Sequence, residues 1–251
     1  MTKTYTILDC EMLFDRYFAE AYKEIDENCA RIRIAARRIA IASLLDLTMD
    51  DLGRISVGRL RTYTTEHQNE GAMLTAVFDD LRACGNRDLV TYGGSAVDAK
   101  VLELAAMAHD LPLPPQLKQI FGPRKEHPVH LDLAAAMKGF GKTWHHLSEI
   151  MIRMGFPVAL LRNKSEPQFA DGNLNWKVGA QHCELDTLLT GMALIAWRRA
   201  QGDQGLRTAP AHFGLIEGFL RQRPDAIAAP VLKREQLFML ANIEAQLPVA
   251  A

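Results

Sequence analysis

Residues 4–11 read TYTILDCE, a β-branched and apolar run that closes on two acids, Asp9 and Glu11. The two carboxylates are two residues apart, so on a strand both project from one face, while Leu8 and Cys10 point to the other. Like charges at the end of an apolar strand repel unless they are solvated or a cation sits between them. On its own, such a pair is explained by a solvated strand end. Its meaning depends on what the rest of the chain brings to it.

Working outward, 13–34 has helical spacing (Phe14, Phe18, Ala21, Tyr22, Ile25) on a charged background. Residues 37–47 (RRIAIASLLDL) and 53–63 (GRISVGRLRTY) read as two strands joined by a turn near 49–53. Residues 71–84 form an amphipathic helix ending at Gly85, a natural helix stop. DLVTY (88–92) is a short buried strand broken by Gly93-Gly94, and a helix follows through Ala106. VHLDL (129–133) is another short strand leading into 134–137, and 143–154 and 177–199 are strong helix candidates. Consecutive strands followed by alternating helices and strands predict an α/β fold, a mixed sheet with helices on its faces. From about Gln201 the chain turns helical again, so the expected division is a domain over 1–200 and a helical C-terminal extension over 201–251 packed on it.

Composition narrows the classes. With 251 residues, 48% apolar and 24% charged, the chain can bury a real core. No run approaches the roughly 18 apolar residues of a membrane span. The opening MTKTYTILDCEM has neither a signal-type apolar stretch nor a small-residue cleavage site, so a cytoplasmic protein is expected. Four scattered cysteines, Cys10, Cys29, Cys84 and Cys183, argue against a zinc ribbon or a disulfide framework and for buried free thiols. A net charge of −1 announces no basic nucleic-acid surface, yet acidic metal ligands would cancel basic residues elsewhere.

Two more acids stand at informative places. Asp98 opens a helix just after a strand and a Gly-Gly break, which puts it at the carboxyl edge of the sheet, where open α/β sheets bind ligands. A first-turn Asp also simply favours the helix dipole. His182 and Asp186 are four apart in AQHCELDTLLTGMALIAW and share one helix face that continues into the apolar stripe. A surface ion pair is the plain explanation, but an ionisable pair on a core-facing stripe asks for a partner. Glu184 projects differently and is expected to be solvated.

Taken in order, these segments resemble the DEDD superfamily of 3′–5′ exonucleases. ILDCE stands where that superfamily carries an acidic pair on its first strand. LVTYGGSAVDAKVL is similar to its second motif, and QHCELDTLLTGMALIAW to its third. Within the superfamily the chain most resembles the predicted exonucleases related to the proofreading domain of family-B DNA polymerases, which also carry a His-x-Asp-Leu strand, as in His130–Leu133. The resemblance spans roughly residues 4–200. It implies a ribonuclease-H-like fold and a hydrolase acting at the 3′ end of single-stranded DNA or RNA. It further implies two divalent ions, Mg²⁺ or Mn²⁺, held by Asp9, Glu11, Asp98 and Asp186. Oxygen ligands suit those ions better than zinc. Asp9 would bridge both ions, Glu11 and Asp186 would complete one site, and Asp98 would support the second.

Three departures accompany the likeness. His182 stands in the slot four residues before the last acid, where a tyrosine is usual; Gly93 replaces the usual Asn, and Val97 the usual Phe. An imidazole there is suited to orient or deprotonate a water near neutral pH. Two other functions stay open: an impaired relative that binds nucleic acid or a protein partner without cutting, and an unrelated metallohydrolase of small phosphate esters. Asp132 is expected to be structural. HPVHLD (127–132) makes a poor separate metal site, because Pro128 interrupts any helix aligning its histidines. His145 and His146, being adjacent, are assigned to surface or packing. Lys100, Arg124, Lys125, Lys142, Arg162 and Lys164 are mostly solubilising, Tyr92, Phe121 and Trp144 belong to the core, and 157–176 reads as a loop whose Phe169 and Trp176 could stack on a base.

Overall fold

Alternation along the first strand sets up both faces of the molecule. In the computed structural model, which describes residues 2–26, 34–118, 130–143, 145–162 and 175–245, β1 runs Lys3–Phe14. Its odd residues Tyr5 and Ile7 pack with Leu45, Leu47 and Val90 against one helical layer; its even residues Leu8 and Cys10 pack with Ala42, Leu44 and Leu89 against another. Burying both faces leaves the sheet wet only at its edges and ends.

Strands β2 (Arg37–Met49) and β3 (Ile55–Thr64) extend the sheet antiparallel on one side of β1. On the other side β4 (Asp88–Thr91) and β5 (His130–Asp132) run parallel to it. The order β3-β2-β1-β4-β5 is a mixed, ribonuclease-H-like sheet. Helices α2 (Glu70–Ala83) and α3 (Asp98–Ala108) cover the even face. The short α4 (Leu133–Lys138), α5 (Leu147–Arg153) and α6 (Val158–Arg162) surround the 25-residue α7 (Trp176–Ala200) on the odd face.

The C-terminal helices α8 (Thr208–Gln222) and α9 (Ala229–Ala245) share that second core, with Leu215, Ile216, Phe219 and Leu232 buried among Ile7, Leu45 and Leu188. Helix α8 lies on β3 so closely that a Cβ on Gly218 would come within 2.4 Å of Val57 Cβ. Gln222 completes the contact: its Nε2 donates to Gly58 O (2.9 Å) and its Oε1 accepts from Leu60 N (2.8 Å), occupying the outer edge of β3. These two outward-facing main-chain groups are thereby closed to a further strand.

Two expectations need correction. Among the described residues the helix expected over 13–34 is α1 (Arg16–Lys23); it starts late because Leu13 and Phe14 stay paired with Arg38 and Arg37 in the β1–β2 ladder, and 27–33 lie outside the described residues. Asp15 then starts the helix by accepting from Phe18 N (3.0 Å) and binds Arg38 Nε (2.5 Å). Helix α1 buries no residue. The loop expected over 157–176 contains α6 at its start, and Trp176 is already the first residue of α7; Phe169 lies outside the described residues. Cys29, Phe121, Arg124, Lys125, His127, Pro128, Trp144 and Lys164 also lie outside them.

Candidate active site

The register of β1 against β4 creates the site. Their last pair is Ile7 with Val90, so Asp9 and Glu11 run on past the end of β4, beside the turn that leads to α3. Both are odd residues and face the layer that contains α7. Helix α7 is fastened here by Cys183, whose Sγ donates to Asp9 O (3.2 Å). Burial, followed by the charge of nearby acids, pushes the thiols of both Cys183 and Cys10 well up, which marks them as packing groups and not nucleophiles.

His182, the residue before that contact, and Asp186, one turn of α7 beyond His182, face the same way. His182 Nε2 lies 3.4 Å from Glu11 Oε1 and 3.8 Å from Asp186 Oδ2. Asp9, Glu11, His182 and Asp186 line one open cleft of about 430 Å³, completed by His146, Ser148 and Leu161. Sequence positions about 175 apart thus meet at one sheet end. A larger cavity of about 630 Å³, between the end of α5 and helices α7, α8 and α9, contains none of these residues. Burial there pushes His212 down to about 4 while its Nε2 contacts Met192 O (2.9 Å), as a neutral packing histidine should.

Asp98 stands beside the cleft and not on its lining. Burial, then Asp132, pushes its carboxyl up to about 7; Arg37 opposes the shift and Asp186 adds to it. The turn that places Asp98 is shaped by two glycines and one acid. Gly93 sits at φ +76°, a conformation that Asn also adopts readily, so the replacement of the usual Asn leaves this turn accessible. A Cβ on Gly94 would meet Thr91 Cβ at 2.6 Å. Asp132 accepts from Gly93 N (2.8 Å), Ser95 N (2.9 Å), the Ser95 hydroxyl and Ala135 N (3.2 Å). Burial works against its charge, but these donors outweigh it and hold the carboxyl below the usual range. Asp132 is therefore the structural residue that its position implied. His130, pushed down by burial, contacts Thr91 Oγ1 through Nε2 (2.9 Å).

Among the described residues, no group of three or more His, Cys, Asp or Glu side chains is drawn together tightly enough to hold a metal ion as it stands. The donor chemistry nonetheless fits a hard divalent cation. Carboxylate oxygens from β1 and α7 share one open cleft, and Asp98 beside them is pushed toward neutrality by burial first and by Asp132 and Asp186 after it.

Two residues escaped the sequence. His146 lines the cleft, although adjacency to His145 had assigned it to surface or packing; no periodic signal marks it, because it precedes α5 and does not belong to it. Glu184 is not solvated. It is 4% exposed and accepts from Thr62 Oγ1 (2.6 Å) and Arg223 Nε (2.8 Å), because α8 closes over the back of α7. Elsewhere Lys100 pairs with Glu103, Tyr92 packs partly into the core, and Trp176 packs near Ala40, Ile41 and Cys183.

Comparison with known proteins adds the following. Residues 32–225 match a family described as a predicted 3′–5′ exonuclease related to the exonuclease domain of PolB. The match includes Asp98, His182 and Asp186 and begins after β1. No curated protein matches. Among solved structures, the chain is similar to the family B DNA polymerase of the hyperthermophilic archaeon Pyrobaculum calidifontis, with a TM-score of 0.45, 11% identity, and coverage of 88% of this chain and 29% of that one. It is also similar to a product-bound exonuclease I (TM-score 0.47, 10% identity, 81% and 46% coverage). A third is the zinc-bound form of an E. coli ExoI–ssDNA complex (TM-score 0.46, 12% identity, 82% and 42% coverage). The chain spans less than half the length of each. No helix among the described residues is long and apolar enough to cross a membrane.

Proposed function

Because the chain belongs to the family of predicted 3′–5′ exonucleases related to the exonuclease domain of PolB, we propose that it shortens single-stranded DNA or RNA from the 3′ end. The observation that carries this reading is the cleft in which Asp9 and Glu11 of β1 face His182 and Asp186 of α7. Hydrolysis adds water across the terminal phosphodiester, breaks the bond from phosphorus to the 3′ oxygen and releases a 5′-mononucleotide. Asp9, Glu11 and Asp186, supported by Asp98, would hold Mg²⁺ or Mn²⁺. Two such ions, when bound, would supply an activated water and neutralise charge on the leaving oxygen.

The chain's own residues do the rest. His182 orients or deprotonates the attacking water, and the carboxylates of Glu11 and Asp186, at 3.4 and 3.8 Å from its Nε2, stabilise the imidazolium that forms. Cys183 keeps α7 in place against the Asp9 main chain. Asp132 fixes the turn before Asp98.

A second reading has one observation in its favour: Asp98 stands off the cleft lining, as it would in a relative that binds strands without cutting them. Digestion of 5′-labelled single-stranded DNA and RNA, with Mg²⁺, with Mn²⁺ and with chelator, decides between the two. A ladder retreating from the 3′ end, absent in Glu11→Gln and Asp186→Asn, is expected; intact oligonucleotides under every condition would exclude the exonuclease. His182→Ala should lower kcat by about 10²–10⁴-fold, while Mn²⁺ affinity measured by calorimetry changes far less. Full turnover in that variant removes His182 from the chemistry.

A further inference from the structure

His146 forms the cleft wall facing the acids, and three contacts fix it there. Its backbone N–H donates to Glu149 Oε2 (2.7 Å), its Nδ1 accepts from Ser148 N (3.3 Å), and the carbonyl of the preceding His145 accepts from Tyr92 O–H (2.6 Å). Leu147 and Met151, both buried, anchor α5 beneath it. The ring is exposed to the cleft. Since Nδ1 is an acceptor, the proton of the neutral ring is on Nε2, which makes that nitrogen a donor.

The cleft lining is acidic. Its lining contributes three carboxylates, and the imidazole of His182 is already engaged by two of them. Among the described side chains lining the cleft, His146 and Ser148 are the other hydrogen-bond donors suited to an anion. Were cations held by the acids, a phosphodiester bound through them would still have an oxygen that they do not ligate, and His146 lies on the same lining.

Resting on the exonuclease reading above, we infer that His146 is a substrate-contacting residue whose Nε2–H donates to a non-bridging oxygen of the scissile phosphate. In the product, that group is the 5′-phosphate of the released mononucleotide. The reading makes the imidazole more than a helix cap.

Asparagine separates the two roles, because its side-chain oxygen caps a helix well but does not reach as the ring does. His146→Asn should keep the melting temperature of the wild type, raise KM for a single-stranded oligonucleotide about tenfold, and weaken binding of thymidine 5′-monophosphate in Mn²⁺ to the same degree. Binding of thymidine, which has no phosphate, should not change. His146→Ala should show the same losses with a lower melting temperature. Wild-type KM and nucleotide affinity in His146→Asn would overturn the inference while leaving the exonuclease standing. A wild-type protein that cuts no strand, yet loses nucleotide affinity in His146→Asn, would sustain the contact and sink the exonuclease. Failure of the wild type to bind the mononucleotide with Mn²⁺ would overturn the contact itself.

Discussion

Asp98 carries a charge that its surroundings resist. Burial, with Asp132 and Asp186 against the partial relief of Arg37, pushes its carboxyl up to about 7, above the unfolded value. Between that unfolded value and about 7 the folded chain binds more protons than the unfolded one, so stability falls as pH rises through the window. Asp98→Asn removes the penalty. In chelator at pH 8 the variant should melt a few degrees higher than wild type, with the gain shrinking toward pH 4 and exonuclease activity lost throughout. Thermal melts across that pH range check it; a variant that melts lower at pH 8 contradicts the electrostatic account. For the same reason, protons should compete with Mn²⁺, so added metal should raise the wild-type melting temperature more at pH 8 than at pH 6.

Short elements hold the cleft, and the junction between β4 and α3 hangs on one acid. Asp132→Ala would strip acceptors from the partly exposed amides of Gly93, Ser95 and Ala135, at a cost of about 0.5–1.5 kcal/mol for each hydrogen bond lost. The expected result is a lower melting temperature together with reduced kcat, since the turn that sets Asp98 loosens; an unchanged kcat would show that α3 is placed by its core contacts alone. Elements are also where the sequence was legible or silent. The two-residue period of TYTILDCE placed Asp9 and Glu11 on one face, and the four-residue spacing placed His182 with Asp186, because both are local geometry. The extent of α1 was not legible: helical spacing at Phe14 and Phe18 says nothing about a partner strand that keeps Leu13 and Phe14 extended. Glu184 was misread because a helix wheel seen from one sequence has a front but no knowledge of α8 behind it. His146 left no signal, as its place depends on where α5 docks.

For the molecule as a whole, α8 and α9 belong to the same core as the sheet. Leu215, Ile216 and Phe219 are buried against it, each contributing about 1.5–3 kcal/mol, a sum comparable to the roughly 5–15 kcal/mol that separates most domains from unfolding. A chain ending at Gln201 should therefore lack a cooperative thermal transition by calorimetry. A sharp transition from that fragment would establish the last fifty residues as a detachable appendage.

A helix gripped from behind has one bearing to offer in front. Glu184 ties the back of α7 to Thr62 of β3 and Arg223 after α8, while two residues away Asp186 looks into the cleft. Loosening that rear grip would misaim Asp186 without removing it, so damage far from the acids would surface as poor alignment and not as a missing ligand.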